Sequence, residues 1–89
     1  MAFFVYVLRS VPSGRFYIGM TGDLERRLQE HNSRNGRWSS RWKPWELLGY
    51  EVWGSRGEAL ARERHLKSRS GMQERRQWIR SLLERQAAG

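Results

Sequence analysis

The segments Phe4-Val5-Tyr6-Val7-Leu8 and Tyr17-Ile18-Gly19-Met20-Thr21 decide how this chain folds. Both are rich in β-branched and aromatic residues, which suit a pleated, partly buried surface. Residues 3–9 predict a strand with Phe4, Tyr6 and Leu8 on one face and Phe3, Val5 and Val7 on the other. Apolar side chains on both faces put that strand in the centre of a sheet. Pro12-Ser13-Gly14 supplies a turn, and residues 15–20 become the hairpin partner. In that partner Tyr17 and Gly19 share one face, while Phe16, Ile18 and Met20 share the other.

A helix over Asp23–Asn32 follows at once, capped by Thr21 or Asp23. Leu24, Leu28 and His31 lie on one face with Arg27, and Glu25, Arg26, Gln29 and Glu30 are expected to face solvent. Residues 46–53 give a third strand. Ser55-Arg56-Gly57-Glu58 reads as a capping box, so a second helix starts near residue 56 and runs to about Ser68. Gly71 interrupts. A last helix is expected over about Gln73–Arg85, with Trp78, Ile79, Leu82 and Leu83 as its apolar stripe and Ala87-Ala88-Gly89 fraying beyond it. The expected fold class is α/β in the α+β sense: a three-stranded antiparallel sheet flanked by helices. One domain is expected over 1–89, its ordered core at about 3–85, with no repeat, low-complexity run or long linker.

Eighty-nine residues allow one core. The sequence has no apolar stretch of about 18 residues, which argues against a membrane-spanning helix. No basic leader precedes the first strand, so no signal peptide is expected. Cysteine is absent, which excludes disulfides and thiolate metal sites and fits a reducing cytoplasm, the expected location. Seventeen Lys and Arg against nine Asp and Glu give a net charge of +8 and a pI of about 11.3. Arginine dominates, and its planar fork matches phosphate. A polyanion partner, nucleic acid above all, is the expectation.

Arg27 and His31 are one helical turn apart and stand together. Tyr17 sits on the strand that leads into their helix, and Tyr6 on the strand that pairs with it. Phosphodiester hydrolysis needs an activated water, charge stabilisation on the phosphate oxygens and support for the leaving oxygen. A phenol, a guanidinium and an imidazole cover the first two. A free phenol ionises near pH 10, so as a base it needs a nearby cation or metal. Two carboxylates compete to supply a metal ligand. Glu58 has a capping role, whereas Glu63 lies among Ala59, Leu60 and Leu66, on an apolar helix face where a carboxylate must be paired or metal-bound. One carboxylate with several waters can hold Mg²⁺. The plainer reading stands beside this: tyrosines packed with satisfied hydroxyls, and Glu63 in a simple helix ion pair with Lys67.

Residues 33–45, Ser-Arg-Asn-Gly-Arg-Trp-Ser-Ser-Arg-Trp-Lys-Pro-Trp, are loop-like and cationic together. Arg34, Arg37, Arg41 and Lys43 interleave with Trp38 and Trp42, a composition that suits stacking on bases beside phosphate contacts. Lys67 is added to this nucleic-acid-binding set. Trp45, beside Pro44, is weighted towards the core, as are Trp53 and Trp78.

These residues together resemble the GIY-YIG nuclease domain, in particular small stand-alone bacterial members, over nearly the whole chain. The first motif, Phe4-Val5-Tyr6, keeps only its tyrosine; the second is intact as Tyr17-Ile18-Gly19. Arg27 and His31 fall where that family has a catalytic arginine and a helix histidine. Ala59-Leu60-Ala61-Arg62-Glu63 resembles the helix segment that bears its single metal-binding glutamate. The resemblance implies metal-dependent cleavage of DNA strands, with Tyr6, Tyr17, Gly19, Arg27, His31 and Glu63 as the catalytic set and one Mg²⁺ or Mn²⁺ on Glu63. It departs from several members in having no Asn after Glu63. Larger members attach a DNA-targeting domain, a role that a protein partner would take here. Branched, damaged and single-stranded DNA are all open as substrates. Two other readings remain: a nucleic-acid-binding module without turnover, and a subunit that docks on a protein through its tryptophan-rich loop.

Overall fold

The central strand β1 (Phe3–Ser10) is buried along both faces, as its sequence requires. In the computed structural model, which describes residues 1–33 and 41–88, it pairs antiparallel with β2 (Phe16–Thr21) on one side and β3 (Trp45–Trp53) on the other. The sheet order is β2-β1-β3. Helix α1 (Leu24–Asn32) belongs to the Tyr6 face, and α2 (Arg56–Lys67) and α3 (Met72–Ala88) to the opposite one.

The alternation of β1 therefore feeds two cores. Val5 and Val7 meet Ile18, Ala59, Leu66 and Leu82, with Trp53, Trp78 and Ile79 packed around them. Tyr6 and Leu8 meet Trp45, with Tyr17, Leu24, Leu28, Trp42 and Leu47 around them. Full burial of a side chain such as Val7 or Leu8 stabilises by about 1.5–3 kcal/mol. A bulge in β3 makes both cores possible: Val7 faces Gly49, yet Leu8 faces Leu47, so Leu48 is the extra residue. The parity of β3 switches there. Leu47 and Trp45 turn toward α1, while Leu48 packs into the other core.

Local signals set most helix boundaries. Asp23 caps α1, its carboxylate accepting from the Arg26 amide at 3.1 Å. Thr21 ends β2 instead, and its hydroxyl accepts the Asp23 amide at 3.0 Å. Ser55 caps α2 through the Glu58 amide at 3.2 Å, as expected; the Glu58 carboxylate returns to Ser55 at 3.0 Å by accepting its hydroxyl rather than through the backbone N–H of a capping box. α2 stops at Lys67, with Ser68 as its C-cap. The structure corrects the expected end of α3: Ala87 and Ala88 are helical rather than frayed. Alanine is the best helix former, and the helix needs no tertiary contact to carry on through it. β3 starts one residue earlier than expected because Trp45 pairs with Ser10 of β1, while its backbone N–H is held by the Asn32 side chain at 2.6 Å.

A charge network that the sequence pattern does not announce ties α2 to its neighbours. Arg62 donates to both oxygens of Glu51 on β3, at 3.0 Å each, and also reaches Glu74 on α3. Hydrogen bonding to Glu51 raises the Arg62 pKa further; Arg62, then His65, hold the Glu74 carboxyl below its usual range.

Gly71 joins α2 to α3 with no room for a side chain, since a Cβ there would lie 1.8 Å from the His65 carbonyl oxygen. Backbone cannot step aside cheaply. Gly71→Ala should cost about 3 kcal/mol and lower the thermal midpoint by roughly 10 °C or more. Gly57→Ala, where a Cβ meets nothing within 4 Å, should leave the midpoint unchanged or raise it slightly. Thermal melts of the two variants check the contrast.

Candidate active site

Tyr6 lies opposite Gly19 in the β1–β2 ladder. A Cβ on Gly19 would stand 2.4 Å from the Tyr6 hydroxyl oxygen and 3.0 Å from the Tyr17 ring. The glycine thus makes the space in which both phenols fit. Tyr17 is diagonal to Tyr6 on the same face, their ring centroids 6.3 Å apart. His31, in the last turn of α1, comes down onto both. Its Nε2 is 3.2 Å from the Tyr6 hydroxyl, and its ring meets the Tyr17 ring edge-on at 4.6 Å. Trp45 closes the floor, 6.2 Å from Tyr17 and 6.3 Å from His31. The neighbouring Asn32 side chain donates to the Trp45 carbonyl at 3.0 Å and accepts its amide, so the end of α1 is fixed to the start of β3. This clamp holds His31 in register with the sheet.

The two tyrosines differ in access. Tyr6 is 2% exposed, whereas Tyr17, on the edge strand β2, is half-buried. Burial raises the Tyr6 pKa strongly, and the neighbouring Tyr17, Glu63 and Glu30 add to that rise while Arg27 opposes it. Tyr6 is therefore a neutral phenol at any ordinary pH. Arg27, Glu30 and Glu63 are thus the charged groups whose fields reach it. Arg27 is 3.5 Å from Glu30, which also receives Arg26 at 3.4 Å. Glu63 approaches from α2, on the far face of the sheet. Its side chain is 19% exposed and pairs with Lys67 at 3.1 Å. Lys67 in turn stands 5.3 Å over the Tyr17 ring.

Among the described residues, no three His, Asp or Glu side chains gather as a metal cluster. What a divalent ion would find is Glu63, a hard oxygen donor in the electrostatic neighbourhood of Tyr6. One carboxylate with waters completing the shell fits Mg²⁺ or Mn²⁺, which keep several waters when bound. Glu58 is exposed and engaged in its helix cap.

The fold thus brings Tyr6, Tyr17, Gly19 and His31 into one cluster, with Arg27 and Glu63 on its flanks. Glu30, expected in solvent, is partly exposed and pairs with both Arg26 and Arg27, each about one turn away. Asn32 was legible only as a helix breaker, because its bonds to Trp45 span the chain. Trp42 packs on the Tyr6 core, and Arg15 covers its ring at 4.0 Å with Arg41 at 5.9 Å. Lys43 is half-buried beside it. Arg34, Arg37 and Trp38 lie outside the described residues.

Gly19→Ala should push Tyr6 and Tyr17 apart, lower stability by about 1–3 kcal/mol and weaken the His31 contact. A thermal melt and the histidine proton resonances check it. The pH dependence has a definite sign. The folded pKa of Tyr6 lies above its unfolded value of about 10, so the stability it confers is complete below pH 10 and lost as pH rises beyond it. The wild type should lose more stability between pH 8 and 11 than Tyr6→Phe does, in melts taken across that range.

Residues 2–77 match the GIY-YIG catalytic domain family. A UPF0213 protein of Haloquadratum walsbyi is 36% identical over 66 residues, 73% of this chain and 73% of that protein. A UPF0213 protein of Streptococcus pyogenes serotype M3 is 39% identical over 67 residues, covering 74% and 72% of the two chains. The solution NMR structure of a UPF0213 protein from Bacillus halodurans superposes with a TM-score of 0.52 at 28% identity, covering 89% of this chain and 83% of that one. With the sheet, the flanking helices and the Tyr17-Ile18-Gly19 motif in the places described, this chain belongs to the GIY-YIG family, within the nuclease superfamily.

Proposed function

We propose that this protein is a divalent-metal-dependent DNA endonuclease or nickase of low sequence specificity. The observation that carries the reading is the meeting of Tyr6, Tyr17 and His31 in one cluster beside an edge strand, with Lys67 over the Tyr17 ring and paired to Glu63. The net charge of +8 suits a polyanionic substrate and supports contacts to backbone rather than to bases.

Roles follow from access and charge. Tyr17 is the accessible phenol; it would orient the attacking water, and it could take that water's proton only in its phenolate form, which a bound cation would favour. Tyr6 stays neutral. Its bond to His31 fixes the imidazole, so that the ring can hydrogen-bond the phosphate or the water. Arg27 exchanges Glu30 for the scissile phosphate and neutralises the charge that builds on its oxygens. Glu63 would hold one Mg²⁺ or Mn²⁺, an ion that would supply Lewis-acid chemistry to the phosphodiester. Lys67 must leave Glu63 for this to happen, and its place over Tyr17 gives it a phosphate to move to.

That same ion pair favours the second reading, a nucleic-acid-binding module without turnover, because it occupies the carboxylate that the metal needs. A plasmid-nicking assay with Mg²⁺ or Mn²⁺ separates the two. Tyr17→Phe should keep the fold and DNA affinity and lower cleavage by about 100-fold or more. Arg27→Lys should fail as well, since an ammonium cannot reproduce the guanidinium fork. Glu63→Gln should abolish cleavage with the fold intact, while Glu58→Gln should cost up to about 1 kcal/mol of stability and spare cleavage. Wild-type rates in Tyr17→Phe would remove the mechanism.

A further inference from the structure

Beside Tyr17, on the outer side of β2, a groove of about 700 Å³ opens between that strand and α3. Its floor is apolar and includes Phe16, the aliphatic Ile79 and the edge of Tyr17. Its rim is cationic, with Lys67, Arg76 and Arg80 among the residues that line it and no carboxylate among them. The volume lies within the range of sites that enclose a small ligand or a nucleotide. We infer that this groove carries a single-stranded segment of DNA that leaves the reacting centre past Tyr17.

Three observations point there. Arg76 and Arg80 are one turn apart on α3, so their side chains rise from the same helix face. Both are exposed, and neither forms an ion pair among the described residues. The groove's other arginine, Arg75, is already spent on the fold, donating to the Leu66 carbonyl at 3.1 Å. Two guanidiniums are thus left to meet phosphates.

The floor then decides between strand forms. A duplex offers the groove only its phosphates and would leave Phe16, which is 42% exposed, without a partner. A single strand offers phosphates to the rim and base faces to the floor, the combination that single-strand binders use. Lys67 links groove and centre, because it touches Glu63 at 3.1 Å and lies 5.3 Å over Tyr17. A strand lying between Arg76 and Arg80 is therefore led to the Tyr17 hydroxyl side. This inference rests on the DNA-cleaving reading for its substrate, but not on turnover.

The test is binding without chemistry. Fluorescence anisotropy with a labelled 15-nucleotide oligo(dT) and with a blunt duplex of equal length is measured in EDTA at several salt concentrations. Arg76→Gln/Arg80→Gln should weaken oligo(dT) binding by roughly tenfold or more and flatten the log–log salt slope by about 1.4, the share of two phosphate contacts on a single strand. Phe16→Ala should weaken oligo(dT) binding by roughly tenfold through lost stacking, with the salt slope kept. Duplex affinity should change less in both variants, and circular dichroism should show the wild-type fold. Unchanged oligo(dT) affinity and slope in the arginine variant would overturn the inference, as would equal losses for oligo(dT) and duplex, or a wild type that ignores oligo(dT). If no variant or wild-type protein nicks plasmid while these binding losses appear, the groove stands and the nuclease reading falls.

Discussion

β1 must bury both of its faces at once. A domain of this size has too little chain to cover a sheet generously, so the middle strand becomes the place where two thin cores meet. Val5 and Val7 serve the side of α2 and α3; Tyr6 and Leu8 serve the side of α1. The second core is where the polar chemistry sits, and the cost is a phenol buried among rings. His31 offsets that cost by meeting the hydroxyl at 3.2 Å, and Gly19 by giving up a side chain. Remove either and the centre of the sheet loses a satisfied polar group or the space that holds it. The bulge at Leu48 is the third part of the same solution, because without its change of parity Trp45 would face away from α1.

Burial also sorts the two phenols. One is locked in a hydrogen bond, neutral and inaccessible; the other sits on an edge strand with a cation over its ring. One phenol is thereby shut away from solvent and the other left accessible a short distance apart. The edge has a second meaning. An unpaired strand edge invites pairing with another chain, and proteins blunt such edges with charge. The lysine and arginines that line the groove beside β2 do this whatever else they bind.

Strands and helix starts were legible in the sequence because their causes are local. Alternation in Phe3–Leu8, the glycine at 19, the caps at Asp23 and Ser55 and the break at Gly71 each declare themselves within a few residues. The meeting of Tyr6, Tyr17 and His31 was legible for the same reason: a short hairpin and one helix carry it, and periodicity fixes which side chains share a face. Three things were not. The bulge at Leu48 depends on what two different layers need from one strand. Asn32 and Arg62 act through partners far along the chain, Trp45 for the first and Glu51 and Glu74 for the second. Glu30 is only partly exposed because it pairs with Arg26 and Arg27, which helical phase alone does not show. Side-chain burial at Trp45 agreed with its weighting toward the core.

The clamp between Asn32 and Trp45 has a consequence for how the chain tolerates change. Two hydrogen bonds fasten the end of α1 to the beginning of β3, and the Ser10 hydroxyl holds the Trp42 carbonyl at 2.6 Å while the Val11 amide holds Pro44. The two ends of the 33–44 connection are thus anchored to the sheet independently of what lies between them. Closing a longer loop between fixed ends costs little, about 0.6 kcal/mol for each doubling of its length. The scaffold can therefore accept inserted length between Asn32 and Trp42 without retuning either core, and a peptide inserted there would start from a base held close to His31.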